Sequence, residues 1–158
     1  MAALGSAASA TAQYEESPAD TFRERASLEW TVPLRGRFES PFGYRWGKLH
    51  AGIDVSVLGE DRVRAAAPGV VTAAGWIPNY EGYGLVVKIR HKPGLSTMYA
   101  HLASAAVSPG QSVAAGQVVG RAGCTGSCTG THLHFEVHVR GKPSDPLRFL
   151  GKAFRALD

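Results

Sequence analysis

The sequence has few cysteines, no long apolar run and only a small excess of positive charge. Each of these shortages excludes or disfavours a class of protein. No apolar stretch in its 158 residues approaches the roughly 20 that are needed to cross a bilayer, so we expect no membrane helix. Two cysteines are too few for a four-cysteine zinc site or a disulfide-rich scaffold. A net charge of +4 is typical of a soluble protein and does not indicate nucleic acid as a partner. A hydrophobic fraction of 44% excludes a disordered chain.

Glycine and proline, in contrast, are plentiful, with 19 and 9 residues, and they divide the chain into short segments. Eight strand-like runs separated by turn signals, with no long helical period, predict an all-β fold. The expected form is a small antiparallel β-sandwich or partly open barrel of about eight short strands. A helical turn is expected at 145–150. The predicted strands are Ile53–Val57, Val63–Ala66, Val70–Trp76, Leu85–Arg90, Thr97–Leu102, Gln111–Val113, Gln117–Arg121 and His132–Val139.

The first residues are rich in alanine and serine and include the triplet Ala8-Ser9-Ala10, which is of the kind that signal peptidase cuts. The basic region and the apolar core of a signal peptide are lacking ahead of it. We interpret residues 1–29 as a flexible N-terminal tail, or as the remnant of an export signal, followed by a linker. From Trp30 onward, the polar and charged composition gives way to short segments separated by glycine and proline. This change predicts that residues 30–158 form one domain.

The most informative segment is the predicted strand at 132–139. Side chains alternate across a strand, so one of its faces is wholly apolar and is expected in the core. The other face carries three histidines and a glutamate. Residues two apart lie about 7 Å apart, so one imidazole can bind a metal while its neighbour reaches a water molecule on that metal. The apolar face is Leu133, Phe135, Val137 and Val139, and the polar face is His132, His134, Glu136 and His138.

Two further segments carry residues of the same chemistry. His50 and Asp54 are both suitable zinc ligands, but they would lie about 13 Å apart on a straight strand. The chain must therefore bend between them, and Gly52 permits the bend. In the third segment, alternation places His101 and Tyr99 opposite an apolar stripe, which lets His101 face a cleft.

Three protein ligands and one water molecule are typical of a catalytic zinc site rather than a structural one. His50, Asp54 and one of His132 and His134 supply three ligands, and the pattern does not decide between the last two. The metal would lower the pKa of its water toward about 7. The remaining histidines would then act as general base, general acid or oxyanion stabiliser.

Four motifs, in order along the chain, resemble those of the lysostaphin/LytM-type zinc metallopeptidases, and the resemblance covers about residues 30–150. It implies a duplicated hybrid motif fold with one zinc ion in a groove, and hydrolysis of the peptide cross-links of bacterial peptidoglycan. By position, His50, Asp54 and His134 resemble the zinc ligands, and His101 and His132 the catalytic pair. The motifs are Ser40-Pro-Phe-Gly-Tyr-Arg, His50-Ala-Gly-Ile-Asp54, Tyr99-Ala-His101-Leu and His132-Leu-His134-Phe-Glu136.

The resemblance also implies a location outside the cytoplasm, in secreted or wall-associated form, with peptidoglycan peptides as the partner. We expect a monomer that binds no nucleic acid. Cys124 and Cys128 lie in a glycine-rich loop and are expected to form a disulfide in an exported protein, at one rim of the groove. Their alternative role is that of soft metal ligands.

Three residues near the motifs have two interpretations each, and two further histidines have one. Tyr44 either stabilises an oxyanion through its hydroxyl or packs in a loop. Arg45 either binds a substrate carboxylate or, as we favour, pairs with an acid. Glu136 either orients a ligand histidine or lies on a solvated face. His138 is too far along the strand to be a ligand, and His91 is expected to be exposed at a turn.

Two other functions compete with an active peptidase. A non-catalytic relative would bind the cell wall and activate a partner hydrolase, but such proteins typically lose zinc ligands. A biotinyl or lipoyl carrier domain would fit the glycine turns at 107–120. A carrier, however, needs an exposed lysine, usually beside a methionine, and neither Met1 nor Met98 adjoins a lysine.

Overall fold

The computed structural model describes residues 28–151 and residue 154, so the expectations for the N-terminal tail lie outside the described residues. Within them, the chain forms twelve strands, a 3-10 turn at Glu81–Tyr83 and a short helix, α1, at Leu147–Leu150. No helix in this part of the chain is long and apolar enough to cross a membrane. The strands are β1 Gly36–Ser40, β2 Gly43–Arg45, β3 Lys48–His50, β4 Ile53–Val57, β5 Arg62–Arg64, β6 Gly69–Trp76, β7 Leu85–Lys92, β8 Leu95–Ala105, β9 Ser112–Val113, β10 Val118–Ala122, β11 His132–Val139 and β12 Lys142–Ser144.

Ten strands form one open antiparallel sheet, in which the order β1-β4-β11-β8-β7-β6-β9 is the main path. Off this path, β10 pairs with β5 and β8, and β12 pairs with β11, while β2 and β3 form a separate hairpin. The predicted all-β antiparallel fold is confirmed, and each of the eight predicted strands is present with its ends shifted by at most three residues. The other four strands, β1, β2, β3 and β12, have only three to five residues each, too few for a clear alternating pattern.

Strand β11 lies between β4 and β8 near the middle of the sheet. Its predicted apolar face is core, since Leu133, Phe135 and Val137 are completely buried. The polar face is covered as well, because His134 is 5% and Glu136 1% exposed. The two faces of β11 thus divide the molecule into an apolar core on one side and a polar site on the other.

Strand β8 departs from simple alternation at His101, which has a left-handed backbone with φ of 59°. Tyr99 lies in the main core, where it packs on Phe135 with ring centroids 5.2 Å apart. The prediction that Tyr99 and His101 share a face is therefore wrong. The positive φ shifts the alternation by one residue, and His101 faces the same side as Ala100 and the polar residues of β11.

The bend that was expected between His50 and Asp54 is present, because His50 ends β3 and Asp54 lies in β4. Gly52 is needed there for close approach: a Cβ at this position would lie 2.2 Å from the carbonyl oxygen of Phe135. The backbone can therefore pass directly against β11. This contact allows Asp54 to pair with His134 across β4 and β11.

Candidate active site

Three side chains from three strands meet at the centre of the polar face. His50 Nε2 lies 3.2 Å from Asp54 Oδ2, and His134 Nδ1 lies 2.7 Å from Asp54 Oδ1. One donor atom from each residue falls within 4.8 Å of the others, which is the arrangement of a possible metal site. Two imidazoles and a carboxylate are a donor set that zinc accepts.

A backbone carbonyl and the Arg45 guanidinium both contact Nδ1 of His50. Its Nδ1 lies 2.7 Å from the carbonyl oxygen of Pro41, which can only accept a hydrogen bond. With its proton on Nδ1 the ring donates to this carbonyl, and with its lone pair on Nδ1 it accepts from Arg45, which can only donate. A metal on Nε2, on the side of Asp54, requires the first of these two forms. Arg45 Nη2 lies 2.8 Å from Pro41 O and from His50 Nδ1, and it also donates to Ser40 Oγ. Arg45 therefore stabilises the loop at 40–41 next to His50. In the described part of the chain it has no acidic partner, so the favoured prediction of an ion pair is wrong.

Charge and hydrogen bonds shift the pKa values of the central residues. Burial alone would raise the pKa of Asp54, but hydrogen bonds from His134 and His50 outweigh burial and hold this pKa well below its ordinary value. Burial would lower the pKa of His134, whereas its bonds to Asp54 and Glu136 raise it to about 9. The site therefore attracts positive charge, whether as a proton or as a metal ion.

Glu136 lies behind His134, on the far side of the ring from Asp54. Its Oε1 is 2.8 Å from His134 Nε2, and its Oε2 is 2.5 Å from His138 Nε2. Burial would raise the pKa of Glu136, but the two histidines lower it to about 2, so the carboxylate is ionised. Burial and the charge of Glu136 raise the pKa of the Tyr83 hydroxyl above its usual value. Tyr83, whose ring lies 5.6 Å from His134, is a site residue that no sequence motif indicated.

The two remaining histidines lie side by side next to the three donors, with ring centroids 4.8 Å apart. His101 Nδ1 donates to the carbonyl oxygen of Thr125 at 2.8 Å, and His132 Nδ1 donates to that of Gly130 at 2.7 Å. The neutral form of a ring held in this way has its proton on Nδ1 and its lone pair on Nε2. Burial lowers the pKa of His101 more than the Thr125 carbonyl raises it, so this ring is neutral near pH 7.

One open groove of about 760 Å³ is lined by the three metal donors and by His101 and His132. Its walls are residues 48–51, residues 79–83 and residues 127–129. Tyr44 is 75% exposed and is not among the lining residues of the described chain. The structure therefore does not bring Tyr44 to the groove with the histidines. His138 contacts Glu136 rather than the three donors, in agreement with its position along the strand.

Two predictions outside the metal centre, one for the cysteines and one for His91, can be compared with the structure. Cys124 and Cys128 are joined by a disulfide, and Cys128 lines the groove. His91 is half-buried in β7 rather than exposed at a turn, so that expectation is wrong. Its Nδ1 contacts the carbonyl oxygen of Pro68 at 2.8 Å, and its Nε2 contacts Thr97 Oγ1 at 2.9 Å.

Comparison with known proteins places this geometry in a family. Residues 48–146 match the description of peptidase family M23. Over 118 residues, the chain is 43% identical to the DD-carboxypeptidase/endopeptidase Mpg of Neisseria meningitidis, and the match covers 70% of this chain and 26% of Mpg. Over 121 residues, it is 36% identical to the murein hydrolase activator NlpD of Escherichia coli, covering 77% of this chain and 31% of NlpD.

The fold is also similar to that of the antimicrobial peptidase lysostaphin from Staphylococcus simulans. The TM-score is 0.69 at 29% identity, covering 79% of this chain and 54% of lysostaphin. The chain spans only about a quarter of Mpg and a third of NlpD. The family match nevertheless extends over most of the chain and includes the three metal donors and both histidines beside them. The chain therefore belongs to peptidase family M23.

Proposed function

We propose that the chain is a zinc-dependent endopeptidase that hydrolyses peptide cross-links of peptidoglycan. The observation that carries this proposal is the pairing of a complete metal donor set with two histidines whose Nδ1 atoms bond to backbone carbonyls, all in one open groove. A donor set alone would suit a structural metal, and histidines alone would suit many sites. Together they supply both parts of metal-assisted hydrolysis.

The residues present fit one zinc ion. His50 Nε2, an Asp54 carboxylate oxygen and His134 Nδ1 would hold it, which leaves a position open for catalysis. Zinc bound there would polarise a substrate carbonyl and lower the pKa of a water molecule. The carboxylate of Glu136 would orient His134 by accepting the proton of Nε2.

His101 and His132 would carry the protons of the reaction. Peptide hydrolysis requires a base to take a proton from the attacking water and an acid to give one to the departing amine. Each of the two rings has an Nε2 that can do both, because each Nδ1 is already bonded to a carbonyl. The ring centroid of His101 lies 4.8 Å from that of His132 and 6.0 Å from that of His134, so both rings are neighbours of the metal donors.

Peptidoglycan is proposed as the substrate because the name of one relative, NlpD, refers to murein and that of another, Mpg, to peptidase activity. Mpg is named as a carboxypeptidase and endopeptidase, and NlpD as an activator of murein hydrolases. An open groove suits a polymer better than an enclosed pocket does. A disulfide is consistent with an oxidising compartment, so we place the protein outside the cytoplasm, secreted or associated with the wall.

The second candidate function is activation of a partner hydrolase, which the similarity to NlpD favours. The complete set of three metal donors and two proton-transfer histidines argues for catalysis instead, since an activator has no need of it.

Tyr44 as an oxyanion stabiliser would require a movement of the β2–β3 hairpin, because its side chain is exposed.

The test uses the full chain, purified without chelators, with its zinc content measured and purified muropeptide dimers as substrate. We expect about one zinc per chain and new amino termini that mass spectrometry assigns to one cross-link. Asp54→Ala and His134→Ala should lose zinc and cleavage together. A zinc-loaded protein that cleaves nothing alone, but increases release by an added wall hydrolase, would establish the activator and overturn the peptidase.

A further inference from the structure

The segment from Cys124 to Gly130, which joins β10 to β11, contacts both histidines of the proposed catalytic pair, His101 and His132. The carbonyl of Thr125 accepts from His101, and the carbonyl of Gly130 accepts from His132. These histidines come from different strands, β8 and β11, yet the same short segment holds both. We call residues 124–130 the histidine-positioning segment.

Thr125 fixes one end of this segment to the sheet. Its hydroxyl donates to the carbonyl of Leu102 at 2.7 Å and accepts from the backbone N–H of Leu85 at 3.0 Å. Gly84 packs so tightly on Thr125 that a Cβ there would lie 2.4 Å from the threonine. Because β7 and β8 are rigid core strands, these contacts set the position of the Thr125 carbonyl relative to His101.

The disulfide fixes the other end. It joins Cys124 to Cys128, and Cys128 Sγ lies 3.0 Å from Gly130 O and 3.7 Å from His132 Nδ1. The bridge thus closes the loop immediately beside the carbonyl that His132 uses. Cys124 is exposed, so a reductant can reach the bond.

We propose that the histidine-positioning segment sets the tautomer and orientation of His101 and His132 through its two carbonyls, with Thr125 and the Cys124–Cys128 disulfide as the positioning elements. The consequence for rate rests on the proposed peptidase function; the consequence for the tautomers does not. A carbonyl oxygen can only accept, so each contact keeps the proton on Nδ1 and the lone pair on Nε2. Zinc binding should not depend on the segment, since none of its residues is a donor.

The disulfide makes this positioning sensitive to reduction. A dithiol attacks the bond, gives two electrons and two protons to form the thiols of Cys124 and Cys128, and is itself oxidised to a cyclic disulfide. The freed segment is then held by Thr125 alone, so His132 should be affected more than His101. Zinc capture by the new thiols is avoided in the double variant C124S/C128S.

The first test compares Thr125→Val, which keeps the shape but loses the hydroxyl, with Thr125→Ser, which keeps it. Nitrogen-15 NMR of the metal-free protein reports the histidine tautomers directly. We expect the Nδ1–H form for both rings in the unaltered chain and in Thr125→Ser, and a loss of this form at His101 in Thr125→Val. Thr72→Val is the matched control, because Thr72 is exposed on β6, away from the groove.

In the zinc-loaded protein, Thr125→Val should lower kcat by about 10- to 100-fold with KM and zinc content unchanged, and Thr125→Ser should restore it. C124S/C128S should change the His132 signal and lower kcat, and a dithiol should affect the unaltered chain but not this variant. The proposal is overturned if either ring of the unaltered chain carries its proton on Nε2, or if both variants keep their tautomers. If neither the unaltered chain nor any variant cleaves muropeptides, the proposed function is wrong. The NMR measurement would still test whether the segment sets the tautomers of His101 and His132.

Discussion

Glu136 Oε1 lies 2.8 Å from Nε2 of His134, directly opposite the bond that His134 Nδ1 makes to Asp54. A metal on Nδ1 requires the ring proton on Nε2, and a buried carboxylate is the acceptor that stabilises it there. Glu136 is only 1% exposed, so solvent does not weaken this interaction. The relationship explains why the polar face of β11 is buried deeply although it carries ionisable groups.

Replacement of Glu136 by Gln should therefore weaken zinc binding by about 10- to 100-fold, because the neutral amide stabilises the ring less. Competition with a chromogenic chelator measures the affinity. Glu60→Gln is the control, since Glu60 binds Arg62 and Arg64 away from the groove. Equal zinc affinity of E136Q and the unaltered chain would show that Glu136 does not support His134.

His101→Ala and His132→Ala should each keep about one zinc per chain but lose roughly 100-fold or more in rate, as expected when a proton-transfer group is removed. Metal analysis and cleavage assays on the same preparations separate the two effects. His134→Ala is the reference that should lose both properties. If either of the first two variants is isolated without zinc, the division between metal donors and proton-transfer residues is wrong.

Gly52→Ala should destabilise the fold by about 1–3 kcal/mol, because the new methyl group would overlap the Phe135 carbonyl and push β4 from β11. Urea unfolding measures the loss. Gly82→Ala is the matched control, as the nearest atom to its added Cβ is 3.8 Å away. Because Asp54 lies on β4, zinc affinity should also fall in G52A. Unchanged stability in this variant would mean that the strands can separate at no cost.

Stability should decrease as the pH falls below about 6.5, in part because of His91. Burial lowers the pKa of His91 in the folded protein, so the unfolded chain binds its proton first. The contribution is complete above the unfolded pKa and is lost as the pH falls toward the folded value. His91 Nε2 lies 2.9 Å from Thr97 Oγ1, which lies 3.0 Å from the buried Tyr99 hydroxyl, so a charged His91 ring would face groups that carry no opposite charge.

The measurement is the free energy of unfolding at pH 5 and pH 8, with saturating zinc, for the unaltered chain and His91→Gln. The amide of glutamine can still form a hydrogen bond with Thr97 but does not titrate, so H91Q should lose less stability between the two pH values. Other titrating groups are common to both proteins and cancel in the difference. Identical pH dependence in the two proteins would exclude His91 as a contributor.

Much of this molecule follows from local sequence. The alternation along β11 indicates both its core face and its polar face, because a strand in a packed sheet must bury one row of side chains. The bend at Gly52 follows from the reach of the chain, since zinc donors four residues apart on a straight strand cannot meet. The family resemblance then assigns His134 rather than His132 to the donor set, which the spacing alone does not decide.

Other features were decided only by the tertiary structure. The left-handed backbone of His101 moves this residue from the core face of β8 to the groove, and no residue type signals such a conformation in a strand. Tyr83 reaches Glu136 from a distant turn. The orientation of His50, His101 and His132 depends on carbonyl groups at 41, 125 and 130. Every residue has a carbonyl, so only the folded path of the chain determines which three carbonyls meet the histidines.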